Sequence, residues 1–468
     1  MVRLLCCSLA VAACSSAPPA SSPARPNQVD FDVAGGPLAP GAGPAGPIYA
    51  NATYDAKVTA PATCLGHAVG ERMAAGEAII GCFRRWDGES PRVQVDRYAT
   101  SHEGRELVRV IITAPENLAR LAAIQADLAR LADPRRLSAA DGQALLARVP
   151  AVAWFGYSIH GDETSGADAA VAFGYHLAAA TDADTEALLR KVIVVIDPVM
   201  NPDGRARFLS QVAQSASAVP SLDQDSMSRG HWPWGRGNHY LFDMNRDWFL
   251  GVAPETRGRW QALAALPPQL LVDVHEMGAQ ESFLSYPYND PVNPNFAANV
   301  RSWQAVFTGD LARAFDGFGW AYYTREWADG WYPGYSDAWA GLRGAVGVLY
   351  EQARNDGQAV RQATGDVRTY RDAVQHQAIA SLSNLLTFGR NRDALLRDYL
   401  AFRRASVAPP GPRRAFALVP GRAPDRERRL LGALLRQGIE VYRVDADFAP
   451  RGAVGALGQA APASLHRG

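Results

Sequence analysis

Five short runs constrain this chain more than anything else in it: residues 107–113, 151–156, 192–198, 270–275 and 346–351. Each is near-continuously apolar and β-branched, which is the signature of strands covered on both faces. Helical patterns lie between them at 116–133, 164–180, 295–315 and 369–388. The first of these carries Leu118, Leu121, Ile124, Leu128 and Leu131 on one stripe behind Pro115. Strand and helix alternating in this way predict an α/β domain with a largely parallel or mixed sheet. Residues 205–240, rich in Ser, Gly, Trp and Arg, fit neither period and read as a long loop with a function.

In open α/β sheets, ligands bind beyond the carboxyl ends of the strands. Ser158 to Glu163 follow the run 151–156, Asn201 to Gly204 follow 192–198, His275 ends 270–275, and Glu351 ends 346–351. Two histidines and a carboxylate make a catalytic zinc site whose fourth position is left to water. His160 and Glu163, three residues apart in a turn, can converge on one metal, and His275 can close the site from a neighbouring strand. Zinc lowers the pKa of its water towards neutrality, and a nearby carboxylate can then take the proton. Glu351 is the candidate, because a carboxylate at the end of an apolar strand costs heavily unless it is paired or functional.

The segments His160-Gly161-Asp162-Glu163-Thr164-Ser165-Gly166, Asn201-Pro202-Asp203-Gly204, Asp243-Met244-Asn245-Arg246-Asp247-Trp248, His275 and Tyr350-Glu351-Gln352 together resemble the ordered motifs of the M14 family of zinc carboxypeptidases. Between Glu163 and His275 stand 111 residues, and between His275 and Glu351 stand 75, as positions 163, 275 and 351 show; both gaps suit the family's catalytic domain. The resemblance covers residues 95–390. It implies a mixed eight-stranded sheet flanked by helices and one zinc ion on His160, Glu163 and His275. Glu351 is then the base, and Asn245 with Arg246 grips the free C-terminal carboxylate of a peptide, a task suited to a planar guanidinium.

Other assignments stay open under the same resemblance. Arg205, Arg229 and Arg236 compete for the arginine that stabilises the tetrahedral oxyanion, with Arg229 and Arg236 preferred for lying in the long loop. Tyr332, and after it Tyr335, are candidates for the family's mobile tyrosine. Asp337 lies where the family forms its specificity pocket, and an acid there would favour a basic terminal residue. Trp232, Trp234, Trp248, Trp327, Trp331 and Trp339 cluster near the proposed cleft and could form a platform for sugar or peptide, or simply pack. The expected activity is hydrolysis of a C-terminal peptide bond. The rivals are a cell-wall peptide amidase or endopeptidase of the same fold, and a lipoprotein that binds peptide or glycan without turnover.

The ends of the chain read differently. Residues 1–14 have the anatomy of a signal peptide, and Val11-Ala12-Ala13-Cys14 resembles a lipobox, so the expectation is an exported lipoprotein held to a membrane through Cys14. Residues 15–27 form a Ser/Pro/Ala-rich tether and 28–94 an N-terminal annex. Residues 391–468 read as the beginning of a further α/β domain, with a strand at 415–420, a helix at 426–437 and a strand at 439–444, in a coding sequence expected to be truncated. Outside the cytoplasm Cys64 and Cys82 can form a disulfide, worth roughly 3 kcal/mol on a chain-entropy estimate. The balance of 47 basic against 47 acidic residues, with 48% hydrophobic, argues against disorder and against a strongly basic nucleic-acid binder.

Overall fold

The computed structural model describes residues 38, 47–408, 415–419, 421–450, 452–455 and 464–466. The expected signal run, Cys14 and the tether lie outside them. Eight strands build the main sheet: β1 Val93–Thr100, β2 Glu106–Ile112, β3 Ala151–Tyr157, β4 Val192–Asp197, β5 Leu270–Met277, β6 Phe283–Ser285, β7 Tyr323–Thr324 and β8 Val346–Ala353. Across the sheet they run β1-β2-β4-β3-β5-β8-β6-β7. The centre, β4-β3-β5-β8, is parallel. Antiparallel pairs join β1 to β2, β2 to β4 and β6 to β8. The mixed eight-stranded sheet is therefore as expected.

The central strands explain their own position. β3 (AVAWFGY) and β4 (VIVVID) are buried at every residue, which only a sheet covered on both faces allows. The covering helices are α1 Gly76–Glu89, α2 Ser165–Ala179, α3 Pro202–Gln214, α4 Pro254–Ala265, α5 Val300–Phe318, α6 Tyr370–Arg390 and α7 Arg392–Val407. Ala-rich α2 is buried along nearly its whole length. At Gly174 of α2 a Cβ would stand 2.3 Å from Phe83 Cε1, so the glycine is what lets α1 lie down on α2. α6 starts with a capping box, in which Thr369 and Asp372 satisfy each other's backbone N–H groups.

One continuous core joins these parts. It includes Phe83 and Trp86 from α1, the central strands, and Leu395, Leu396, Tyr399 and Leu400 from α7, so the chain beyond residue 390 continues into the same core. Cys64 and Cys82 are joined in a disulfide with Cα atoms 5.5 Å apart, tying the short helix Pro61–Leu65 to α1. No helix among the described residues is long and apolar enough to cross a membrane.

Three expectations are corrected. The helix expected at 116–133 is two helices, Pro115–Ala119 and Leu121–Ala132, broken at Arg120. The Asn117 amide donates to Thr113 Oγ1 and to the carbonyls of Leu189 and Arg190, which seats the first piece against the approach to β4. The region expected to be loop from 205 begins inside α3, started by Asn201 as N-cap and Pro202 in its first turn. Only residues 215–253 lack α-helix and strand. Beyond α7, a helix α8 Pro424–Arg436 forms, but 415–419 and 439–444 are not strands, since neither pairs with a strand among the described residues.

Candidate metal centre and active site

Three chain segments meet at the carboxyl ends of β3, β5 and β8. Leaving β3, Ser158 takes a positive φ of 59°, which swings the chain out of the strand and into the turn carrying His160 and Glu163. A Cβ on Gly161 would stand 2.1 Å from the Arg205 backbone nitrogen, so that turn lies directly on the start of α3. His275 sits within β5 and Glu351 within β8. The two are register partners in the parallel pair, so both side chains project from the same face of the sheet.

His160 Nδ1 is 2.7 Å from Glu163 Oε1, His275 Nδ1 is 2.8 Å from Glu163 Oε2, and the two Nδ1 atoms are 3.2 Å apart. All three residues are buried, and their ligand atoms lie within 4.8 Å of one another. The far ring nitrogens are also engaged. His160 Nε2 is 3.0 Å from Asp243 Oδ1, and His275 Nε2 is 2.6 Å from Asp273 Oδ2. A carboxylate accepting Nε2–H assigns the proton to that nitrogen and leaves the Nδ1 lone pair facing the centre, as a metal-ligating histidine requires.

The electrostatics show how tightly these groups are coupled to one another. Burial alone would raise the Glu163 carboxyl, but His160 and His275 outweigh it and hold it well below the usual range. Burial alone would lower His275, but Asp273 and Glu163 hold it well above. A divalent cation between the ligand atoms would take over the charge that protons on the imidazoles carry here. The donor set of two nitrogens and a carboxylate fits zinc with one position open. At the edge of this group, burial pushes the Glu351 carboxyl up to about 8, with the charges of Glu163 and Asp273 adding to the effect against the opposing pull of His275.

The candidate arginines separate. Arg236 Nη1 lies 3.2 Å from His160 Nδ1 and 3.5 Å from Glu163 Oε1, while its Nε and Nη2 lie 3.1 and 2.9 Å from Asp243 Oδ2, so its half-exposed guanidinium hangs over the metal ligands. Arg229 does not reach the site. Its buried guanidinium is spent on the carbonyls of Ser221, Asp223, Asn355 and Ala359, pinning the long loop to the chain after β8. Arg205 is fully buried against Asp168 and the carbonyls of Ala74 and Thr164.

Arg246 is half-exposed, 4.7 Å over the Tyr335 ring, and its carbonyl accepts from the Tyr332 hydroxyl at 3.1 Å. Tyr332 and Tyr335 therefore both stand beside Arg246. Asn245 faces the other way. Its Nδ2 lies 3.0 Å from Asp273 Oδ2 and 2.9 Å from His275 Nε2, and its Oδ1 accepts from the Ser336 N–H, so it offers the cleft no free amide. Asp337 is buried and accepts from the Tyr286 hydroxyl; burial, with help from Asp273, raises its carboxyl to about 7. It presents no open carboxylate to a basic terminal residue. The tryptophan group divides as well. Trp232, Trp234, Trp327 and Trp331 are exposed, whereas Trp248 and Trp339 are buried and pack on each other at 5.3 Å.

Asp243 and Asp273 received no role from the sequence reading. Asp273 stands two residues before His275, hence on the same face of the strand, and that alternation was the available signal. Glu276 is a further such residue: it accepts the Thr164 and Ser165 N–H groups and so anchors the metal-binding turn to β5.

The sequence profile described as zinc carboxypeptidase matches residues 85–318, half of the chain. No curated protein matches significantly. Among solved structures, the chain is similar to a metallo-carboxypeptidase from Burkholderia cenocepacia, at 15% identity, 66% of this chain and 67% of that one, with a TM-score of 0.44. It is similar to carboxypeptidase A from Helicoverpa armigera at 16% identity, 71% and 80% coverage and a TM-score of 0.44. A metallo-carboxypeptidase from Pseudomonas aeruginosa, in complex with (2-guanidinoethylmercapto)succinic acid, matches at 14% identity, 68% and 69% coverage and a TM-score of 0.44.

Proposed function

Because the chain belongs to the M14 family of zinc carboxypeptidases, and is thus a zinc-dependent hydrolase of peptide bonds, we propose that it removes the C-terminal residue of peptides in the cell envelope. The observation that carries this reading is the convergence of both Nδ1 atoms and the Glu163 carboxylate beside Glu351. Zinc held by His160, Glu163 and His275 would supply a Lewis acid that polarises the scissile carbonyl and acidifies water.

The remaining work belongs to side chains. Glu351, the register partner of His275 beside the ligands, takes a proton from the attacking water and returns it to the leaving amine. Arg236, its Nη1 against the ligands and its Nε and Nη2 held by Asp243, stands where the carbonyl oxygen becomes negative. Arg246, open to solvent and flanked by Tyr332 and Tyr335, receives the free carboxylate of the substrate. Asn245 serves indirectly, through Asp273, while its neighbour does the gripping.

The envelope location rests on the signal-like run and lipobox at Cys14, and the Cys64–Cys82 bond suits an oxidising compartment.

Zinc content measured together with turnover of a C-terminal peptide library tests the assignment. Glu351→Gln should lower kcat by roughly 10²–10⁴-fold and keep the zinc, whereas His160→Ala should lose both. Substantial turnover by Glu351→Gln would show that another group is the base.

A further inference from the structure

Arg236 owes its place to the loop that carries it, and one residue of α3 holds that loop on both sides of the arginine. Arg207 Nε donates to the Trp234 carbonyl at 2.7 Å, Nη2 to Gly237 at 2.6 Å and Nη1 to Asn238 at 3.1 Å. Asn201 Nδ2 donates to the Arg236 carbonyl at 3.1 Å, and the Gly161 N–H to the Gly235 carbonyl at 2.9 Å. Beneath these bonds the chain is bare. A Cβ on Gly204 would meet the carbonyls of Gly235 and Gly237 at 2.3 and 2.7 Å, and one on Gly235 would meet the Asp162 nitrogen at 2.8 Å. The loop with Arg236 thus lies main chain to main chain on the turn with His160 and Glu163.

Among the described residues, the Arg207 guanidinium makes its hydrogen bonds to carbonyls, and the carboxylates of Glu103, Asp162 and Asp203 act on it through space rather than by hydrogen bonds. Its bonds therefore define geometry rather than neutralise charge. A rigid planar fork reaches three carbonyls at fixed angles, which a lysine ammonium cannot do. That matters because a donor to a developing negative oxygen acts only when held within about 0.5 Å of its working position.

We propose that Arg207 is a positioning residue for catalysis, holding residues 234–238 so that the Arg236 guanidinium stands over the metal ligands. This rests on the reading that Arg236 faces the developing oxyanion. Arg207 itself hydrogen-bonds to none of the metal ligands.

The test is a double-mutant cycle with zinc content measured throughout, using an N-acylated dipeptide with a free C-terminal carboxylate as substrate. Arg207→Ala should lower kcat about tenfold, a part of the 10²–10³-fold that losing such a donor costs outright, with KM changed less than about twofold. Arg207→Lys should recover only part of the loss. In an Arg236→Ala background, adding Arg207→Ala should cost less than about twofold, because two residues acting through one group are not additive. Equal losses with and without Arg236, or a rise in KM at unchanged kcat, would overturn the proposal. If Arg236→Ala leaves kcat unchanged, the oxyanion reading itself fails and the proposal falls with it. Should Arg207→Ala not fold, the same cycle with Arg207→Lys decides by the same coupling.

Discussion

Asp273 does more at the site than its place in an apolar strand suggests. Its Oδ2 takes the Nε2–H of His275 and the amide of Asn245, and it also accepts from the Ser336 hydroxyl. One carboxylate therefore sets the ring of a metal ligand and ties it to the segment that presents Arg246. Outer partners of this kind typically contribute 10–100-fold in metal affinity, so Asp273→Asn should weaken zinc binding by about that factor, read by competition with a chelator. An unchanged affinity would mean that the His275 ring is held by packing alone. Residue by residue, the sequence was uneven evidence. His160, Glu163, His275 and Glu351 were legible because strand ends and motif order point to them. The choice between Arg229 and Arg236 was not, since both lie in a segment without period. Only the path of the loop shows that one is consumed by carbonyls while the other hangs over the site. The orientation of Asn245 was not legible for a similar reason: a motif names the residue but not the direction of its amide.

Among the elements, the buried strands and long helices were legible because continuous apolarity and a 3.6-residue stripe are strong signals. β6 and β7, three and two residues long, carry no period to detect, and β1 is largely half-buried, so its pattern is diluted. α3 was hidden by its composition, yet Asn201-Pro202 is a legible start: a capping amide followed by a residue with no N–H to lose. The annex depends on a covalent element. The Cys64–Cys82 bond closes a loop across a sequence separation of 18. Replacing both cysteines with alanine should cost roughly 3 kcal/mol in denaturant unfolding, with catalysis by the remaining folded protein unchanged. A loss below 1 kcal/mol would show that the packing of Phe83 and Trp86 suffices.

The whole molecule carries equal numbers of acidic and basic side chains, so its response to pH comes from particular buried groups rather than net charge. Burial depresses His176 to about 4 and His376 to about 3, both far from an unfolded value near 6.5. As pH falls below 6.5 the unfolded chain takes up protons that the folded chain refuses. The stability these rings contribute is thus complete above pH 6.5 and is lost progressively as pH falls to about 4 for His176, on the order of 3 kcal/mol for that residue. His176 packs tilted on Tyr49 at 4.6 Å, its Nδ1 is 3.4 Å from the Tyr54 hydroxyl, and its Nε2 has no partner among the described residues, so His176→Phe should keep the ring packing and flatten the acid limb of unfolding free energy against pH. An acid limb of unchanged slope would place the proton uptake elsewhere.

The glycine-to-glycine contact under Arg236 has a mechanical side. Where main chain rests on main chain, no side chain can turn aside to make room, so that wall of the cleft moves only if α3 and the metal-binding turn move with it. The segment with Trp331 and Tyr332 also meets the site by main chain, through the Trp248 N–H to the Gly334 carbonyl at 3.2 Å. The exposed rings of Trp327 and Trp331 and the Tyr332 hydroxyl on the Arg246 carbonyl, however, are side-chain features that a rotamer change can move. Main chain thus fixes both stretches, and a bulky or bridged ligand meets its steric limit at the glycines under Arg236 and finds its clearance in the aromatic side chains near Arg246.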